Sequence, residues 1–291
     1  MTQSYPAQPL PPHDPDLDTS QNHYWSYHNL AHLLACKKPL TASQDEDLFI
    51  AVHQICELAF QQMITDLERT LEALAVAVDA DPVVEDTSEA LYFLRRVLRL
   101  WEVVLTTMPI LGTMRGFAEF RTTIGPTSGF QSFQFRRLEV MSGVQEPYWK
   151  GGTNDAQGIP HPAEVAFNRR YAEEVAHWFA YYREHSLTYY YRLLLGRASG
   201  QDECQKIHHL LDHPHAAPLL KDLASYDSFQ IRFHRAHLGL AIQQLTLVGA
   251  DKGTGGTAYR AYLSKYDREM APLFASLQEA YTAQLSDAQS D

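Results

Sequence analysis

Phe49 and His53 stand four residues apart in the run Asp45-Glu46-Asp47-Leu48-Phe49-Ile50-Ala51-Val52-His53-Gln54. On a helix that spacing puts both rings on one face, and Glu57 continues it. A histidine directed into an aromatic pocket can hydrogen-bond a ligand or move a proton. Its plainer role is a half-buried ring satisfied by a carbonyl or carboxylate. Phe117 and Arg121 repeat the spacing just ahead of Gly125-Pro126-Thr127-Ser128-Gly129-Phe130-Gln131-Ser132. An arginine fork beside an aromatic ring and a glycine-bounded loop suits a ligand carboxylate. A surface pair with Glu119 or Glu139 is the alternative. In Gly253-Thr254-Gly255-Gly256-Thr257 the glycines permit close backbone approach and the threonine offers a hydroxyl. No Lys-Ser or Lys-Thr follows, so this is not a phosphate-cradling Walker loop. His234 and His237 share a stripe with Ala241, Leu245 and Val248. An imidazole on such a stripe can ligate iron or be a satisfied core histidine. His209 and His213 have the spacing of a helical metal pair, but the chain offers no second half-site, and 207–215 reads as a solvated segment.

These residues need elements to position them, and the apolar periodicity is helical. Ser43 and Glu46 have capping-box spacing before Val52, Cys56, Ala59, Phe60, Met63, Leu67, Leu71 and Leu74, which predicts a helix ending before Asp79-Ala80-Asp81-Pro82. A second helix is expected over Glu89–Met108, with Leu91, Leu94, Leu98, Trp101, Leu105 and Met108 on its stripe and Pro109 as its stop. Short helices are expected near Phe117–Ile124 and Phe130–Met141, and a glycine- and proline-rich loop over 143–162. Longer ones follow over Ala163–Leu195, Tyr226–Val248 and Ala258–Leu285, with a short one over Glu203–Leu211. With no hairpin signal and no repeat, the fold class is all-α, a single bundle-like domain. Residues 1–21 carry five prolines and read as a disordered tail, leaving 22–291 as the folded domain.

Composition narrows the partners. Hydrophobic residues make up 45% of the 291 and charged residues 20%, enough to bury a core without disulfides. Against 35 acidic residues stand only 24 Lys and Arg, a net charge of −11 that disfavours nucleic acid and anionic membranes. Cys36, Cys56 and Cys204 form no C-x-x-C pair, so covalent c-type haem attachment is not expected, and a reducing, cytoplasmic location is. The opening MTQSYPAQPLPPHDPD lacks the apolar stretch of a secretory signal, and no apolar run is long enough to span a bilayer.

Taken in order, the blocks resemble the tryptophan 2,3-dioxygenase family from about Tyr24 to Leu263. They are Tyr24-Trp25-Ser26-Tyr27 with Pro39-Leu40; Asp45 to Gln54 with Glu57-Leu58; Phe117 to Phe135, above all Phe120-Arg121 and Ser128-Gly129-Phe130-Gln131-Ser132; and Lys252 to Thr257 with Tyr262-Leu263. The resemblance implies an all-helical subunit with a non-covalent b-type haem, in a homotetramer. The family reaction opens the indole C2–C3 bond of L-tryptophan with dioxygen to give N-formylkynurenine.

The same resemblance implies roles. His53 becomes the distal histidine for the indole N–H, Phe49 and Phe117 the pocket walls, and Arg121 the substrate-carboxylate ligand. Thr254 contacts the carboxylate and ammonium, Tyr24 and Tyr27 come from a neighbouring subunit, and Ser128, Gly129 and Phe130 lie against the haem. In the family the proximal histidine precedes the glycine-loop threonine by fourteen residues, which here is Leu240, unable to bind iron. His237, about one turn earlier, is the implied metal ligand, with His234 as the second candidate. Other departures are His28 in place of a leucine, Ala59-Phe60-Gln61 where Trp-Phe-Lys is usual, and Thr257-Ala258-Tyr259 after the glycine loop. They leave two further readings: a monooxygenase of a tryptophan derivative or another indole, and a non-catalytic haem or ligand carrier.

Overall fold

The computed structural model describes residues 23–80, 86–124, 131–147, 149–150, 162–249 and 272–288. Helices α1 (Tyr24–Tyr27) and α2 (Leu30–Leu34) lead into α3 (Gln44–Asp79). After α4 (Ser88–Thr107) come a 3₁₀ turn (Met108–Thr113), α5 (Phe117–Phe120) and α6 (Phe133–Ser142). Then follow α7 (Pro162–Arg170), α8 (Ala172–Tyr181), α9 (Leu187–Arg197), α10 (Glu203–Leu211), α11 (Ala216–Leu247) and α12 (Ala275–Ala288). No strand occurs among the described residues, so the fold is all-α. The expected tail, 1–21, lies outside the described residues.

Helix α3 buries Val52, Cys56, Ala59, Phe60, Met63, Leu67, Leu71 and Leu74, the stripe its periodicity predicts. Asp45, Glu46 and Asp47 occupy its first turn, where the helix dipole favours negative charge. The expected capping box does not form. The Ser43 side chain caps nothing, and the Glu46 carboxylate turns back to accept from Leu40 N, Thr41 N and Thr41 Oγ1 at 2.7, 2.7 and 2.5 Å. Those bonds hold its pKa below the ordinary carboxylate value and fold the incoming chain against the helix start. On α4 the buried stripe is Ala90, Leu94, Val97, Trp101 and Val104, with Met108 just beyond, while Leu91, Leu98 and Leu105 sit at its edge.

Two helix boundaries differ from expectation. The single helix foreseen over Ala163–Leu195 is three. Tyr171 leaves helical geometry at φ −120°, and Ser186 starts α9 afresh by accepting from Tyr189 N. By contrast, α11 begins ten residues before Tyr226, because Pro218 falls in its first turn, where proline is tolerated.

Side-chain contacts fix the packing directions. Phe60 meets Trp101, and Asp66 meets Arg96, so α3 and α4 run antiparallel. Thr87 bonds to His215 O, Arg95 pairs with Asp222, and Trp101 meets Tyr226, so α4 and α11 run parallel. Helix α6 docks through Gln134 on the Glu57 carbonyl and through the Arg137–Glu68 ion pair. Phe60, Trp101, Phe135 and Phe233 interlock at the centre, with ring separations of 4.9–6.5 Å. Gly143 ends α6 at φ +112° against Thr188, where a Cβ would lie 1.8 Å from the Thr188 hydroxyl oxygen. This close approach brings the end of α6 onto the start of α9.

Candidate functional site

Toward the α3 N-terminus from that aromatic centre, α4 has ended and α5 takes its place. Asp45 secures α5 by accepting from Arg115 N and Gly116 N at 2.7 and 2.5 Å. The approach is tight: a Cβ on Gly116 would come within 3.0 Å of Ser43 Oγ. This docking brings Phe117 and Phe120 to Phe49, with ring centroids 6.2 and 5.5 Å away. Arg121 follows one turn after Phe117, its N–H bonded to the Phe117 carbonyl. The imidazole of His53 lies 4.1 Å from the Phe49 ring, and its Nδ1 is 2.7 Å from the Phe49 carbonyl oxygen. A carbonyl only accepts, so Nδ1 carries the proton and donates. That leaves Nε2 as an acceptor. Burial lowers the His53 pKa, against smaller opposing effects of the Phe49 carbonyl and Glu57, and keeps the ring neutral.

Opposite stands α11. It is antiparallel to α3, since α4 is antiparallel to one and parallel to the other. His53 precedes Phe60 by seven residues and His237 follows Phe233 by four, so both rise on the same side of the aromatic floor, by about 10 and about 6 Å. His237 stacks on Phe233, with planes 13° apart and centroids 6.3 Å apart. The residue is exposed. Yet desolvation, helped by the fields of His53 and Arg136, drives its pKa down to about 4.

His234, one turn earlier, has different surroundings. It is buried beside the Phe135 ring at 5.4 Å, with desolvation first and Arg136 second lowering its pKa. Leu240 turns toward the 3₁₀ turn, its Cδ1 3.8 Å from where a Gly112 Cβ would sit. The interaction with His53 thus falls on His237 rather than on either neighbour.

The structure brings Phe49, His53, Phe117 and Arg121 to one end of α3 and sets His237 across from them. Tyr24 and Tyr27 stand apart on α1, both largely exposed, and among the described residues their ring contacts are to His28. Ser128, Gly129, Phe130 and Thr254 lie outside the described residues. The Glu139 carboxylate pairs with Arg136 at 2.6 Å and accepts from Trp149 Nε1, so it is not the arginine partner foreseen for Arg121. Of the histidine-rich stretch, His208 bonds to its own helix, and no metal-holding cluster occurs among the described residues. Residue-by-residue reasoning gave no role to Phe120, Asp45 or Phe233. Phe120 is three residues from Phe117 and thus on its helix face, a signal that was available. The contacts of Asp45 and Phe233 are tertiary and leave no local trace.

The chain is similar in sequence to known proteins. A family model described as tryptophan 2,3-dioxygenase matches residues 13–152. The tryptophan 2,3-dioxygenase of Anaeromyxobacter sp. (strain K) is 36% identical over 151 residues, 50% of this chain and 54% of that protein. That of Anaeromyxobacter dehalogenans is 38% identical over 135 residues, 46% and 48% respectively. The chain therefore spans about half the length of these relatives. A longer alignment, to the tryptophan 2,3-dioxygenase of Nocardioides sp., covers 82% of this chain and 87% of that protein at 27% identity.

Proposed function

Because the chain is a divergent member of the tryptophan 2,3-dioxygenase family, we propose that it is a haem-dependent oxygenase acting on the indole ring of L-tryptophan. Both atoms of dioxygen enter across C2–C3, and N-formylkynurenine leaves. The observation that carries this reading is the pair of neutral imidazoles, His53 and His237, on one side of the Phe60–Trp101–Phe135–Phe233 floor. A neutral imidazole is the form that ligates iron, and aromatic walls suit a flat apolar macrocycle. The residues present therefore fit a b-type haem, which His237 would hold. When bound, that group supplies the iron chemistry by which dioxygen is taken up and activated.

The chain's own residues do the rest. The free Nε2 of His53 accepts a hydrogen bond from the indole N–H, since its Nδ1 proton is committed to the Phe49 carbonyl. Phe49 and Phe117 flank the ring and exclude water. Arg121 holds the substrate carboxylate, fixing one end of the zwitterion while His53 fixes the other. Two anchors on opposite ends restrict the indole to one orientation, which is a proximity effect. Thr254 as the second polar anchor, and Ser128, Gly129 and Phe130 against the haem, belong to the same proposal. So do 22–291 as one haem-binding unit preceded by a loose tail, a homotetramer, and a cytoplasmic location. Exposed Tyr24 and Tyr27 support the assembly, as aromatic rings available to a neighbouring subunit. No helix among the described residues is long and apolar enough to cross a membrane.

The test is mass spectrometry of the product formed from L-tryptophan under isotopically labelled dioxygen by haem-reconstituted, reduced protein. Two labelled atoms in N-formylkynurenine are expected. One labelled atom makes the protein a monooxygenase, and bound haem without product makes it a carrier.

A further inference from the structure

Asp45, Phe49 and His53 lie at i, i+4 and i+8 on α3, so one helix face carries all three. Asp45 stands at the N-terminal end of that face, half-buried and about 12 Å along the axis from His53. Phe49 and His53 serve the proposed reaction; Asp45 is not among the residues that meet the substrate. One oxygen of its carboxylate, Oδ2, accepts from both Arg115 N and Gly116 N. Hydrogen bonds to an ionised acceptor are the strong kind.

The stretch that Asp45 holds cannot hold itself. Helix α5 has four residues, too few to be stable by its own hydrogen bonds. Its N-cap is Gly116, which has no side chain to cap with. The absent side chain is what admits the contact: a Cβ there would lie 3.0 Å from Ser43 Oγ, 3.1 Å from Glu119 Oε2 and 3.2 Å from Asp45 Oδ2. Ser43 is fixed in turn, since its N–H donates to Thr41 Oγ1 and Thr41 is bound to the Glu46 carboxylate.

Arg121 follows Gly116 by five residues, with its N–H on the Phe117 carbonyl. Phe117 and Phe120 pack on Phe49, but apolar contact is non-directional and leaves sliding along α3 open. Two N–H groups converging on one oxygen fix a point instead. We propose that Asp45 is a positioning residue for Arg121. It sets the register of α5 along α3, and so the separation between the guanidinium and His53 Nε2, without touching the ligand. This rests on the oxygenase reading, in which Arg121 and His53 grip opposite ends of L-tryptophan.

Asp45→Ala in the haem-reconstituted full chain tests it through two readouts. Hydrogen exchange over residues 114–120 reports the bonds directly and is expected to speed up roughly tenfold. L-Tryptophan affinity, read by calorimetry, is expected to fall roughly tenfold with haem content unchanged. Asp45→Asn keeps an acceptor without the charge and is expected to recover about half of that loss on a logarithmic scale. A double-mutant cycle separates positioning from general destabilisation. In an Arg121→Leu background, Asp45→Ala is expected to change tryptophan affinity by less than about twofold, because the group it positions is gone. Should Asp45→Ala fail to fold, Asp45→Asn carries the same cycle at about half the effect. Unchanged exchange in Asp45→Ala overturns the proposal. So does an equal loss of affinity with and without Arg121. A wild-type chain that binds haem and no L-tryptophan removes the oxygenase reading and this proposal together, whereas tryptophan binding indifferent to Asp45 removes this proposal alone.

Discussion

Two aromatic regions of this bundle use the same residue types to opposite ends. At the centre, α3, α4, α6 and α11 each contribute a ring, and Phe60, Trp101, Phe135 and Phe233 close on one another with at most 7% of any side chain exposed. Toward the N-terminus of α3, Phe49, Phe117 and Phe120 meet around His53, and His237 across from them keeps accessible surface. The difference is one helix. Helix α4 stops at Thr107, Pro109 follows, and the chain continues as a 3₁₀ turn and the four-residue α5. Where four long helices converge the interior is filled; where one is replaced by a short turn, His53 is only half-buried and His237 is exposed.

If the two regions divide in this way, substitutions should separate them. The largest effect is expected at the cleft: His237→Ala should abolish retention of haem while leaving the helical circular dichroism intact, and His234→Ala should retain it. Normal haem content in the His237 variant, read from the Soret absorbance, would move the ligand elsewhere. At the centre, Trp101→Ala should cost about 3–5 kcal/mol of unfolding free energy, through lost burial and the cavity left behind. A denaturant midpoint within error of wild type would show that the floor is not packed as described. Arg121→Leu is smaller and confined to the ligand: tryptophan affinity should fall by roughly ten- to a hundredfold with unchanged haem binding, from the lost charge-assisted pair.

The smallest effect is a drift with pH. Desolvation holds His53 and His234 below the ordinary imidazole value of 6.5, and the exposed His237 at about 4. Below about pH 6.5 the unfolded chain therefore binds more protons than the folded one, so their stabilisation is full above that pH and is lost as pH falls toward 4. The carboxyls of Glu139 and Asp227, raised by burial, act in the opposite sense and soften the decline. Urea midpoints that stay level between about pH 7 and about pH 5 would contradict the lowered pKa values of these rings. His234→Gln should flatten part of the slope.

Local order carried much of this fold. The stripe on α3 and the stop after α4 follow from apolar spacing and proline, which act within a few residues and are written in the chain itself. So are the helix periodicity that pairs Phe49 with His53 and Phe117 with Arg121, and the chemistry each residue type can do. Tertiary packing decided the rest. The break at Tyr171 and Ser186, the turn of Glu46 away from its cap, and the one-residue rotation of the α4 stripe each answer to neighbours distant in sequence. The choice between His234 and His237 is of the same kind. Both lie on one helix, three residues apart, and nothing local distinguishes them. Helix α6 covers the first with Phe135 and Arg136, while the second extends past it to face His53 where α4 has ended. Periodicity sets which face of a helix is apolar; only the position of the other helices sets which part of that face is filled and which is left to line a cleft.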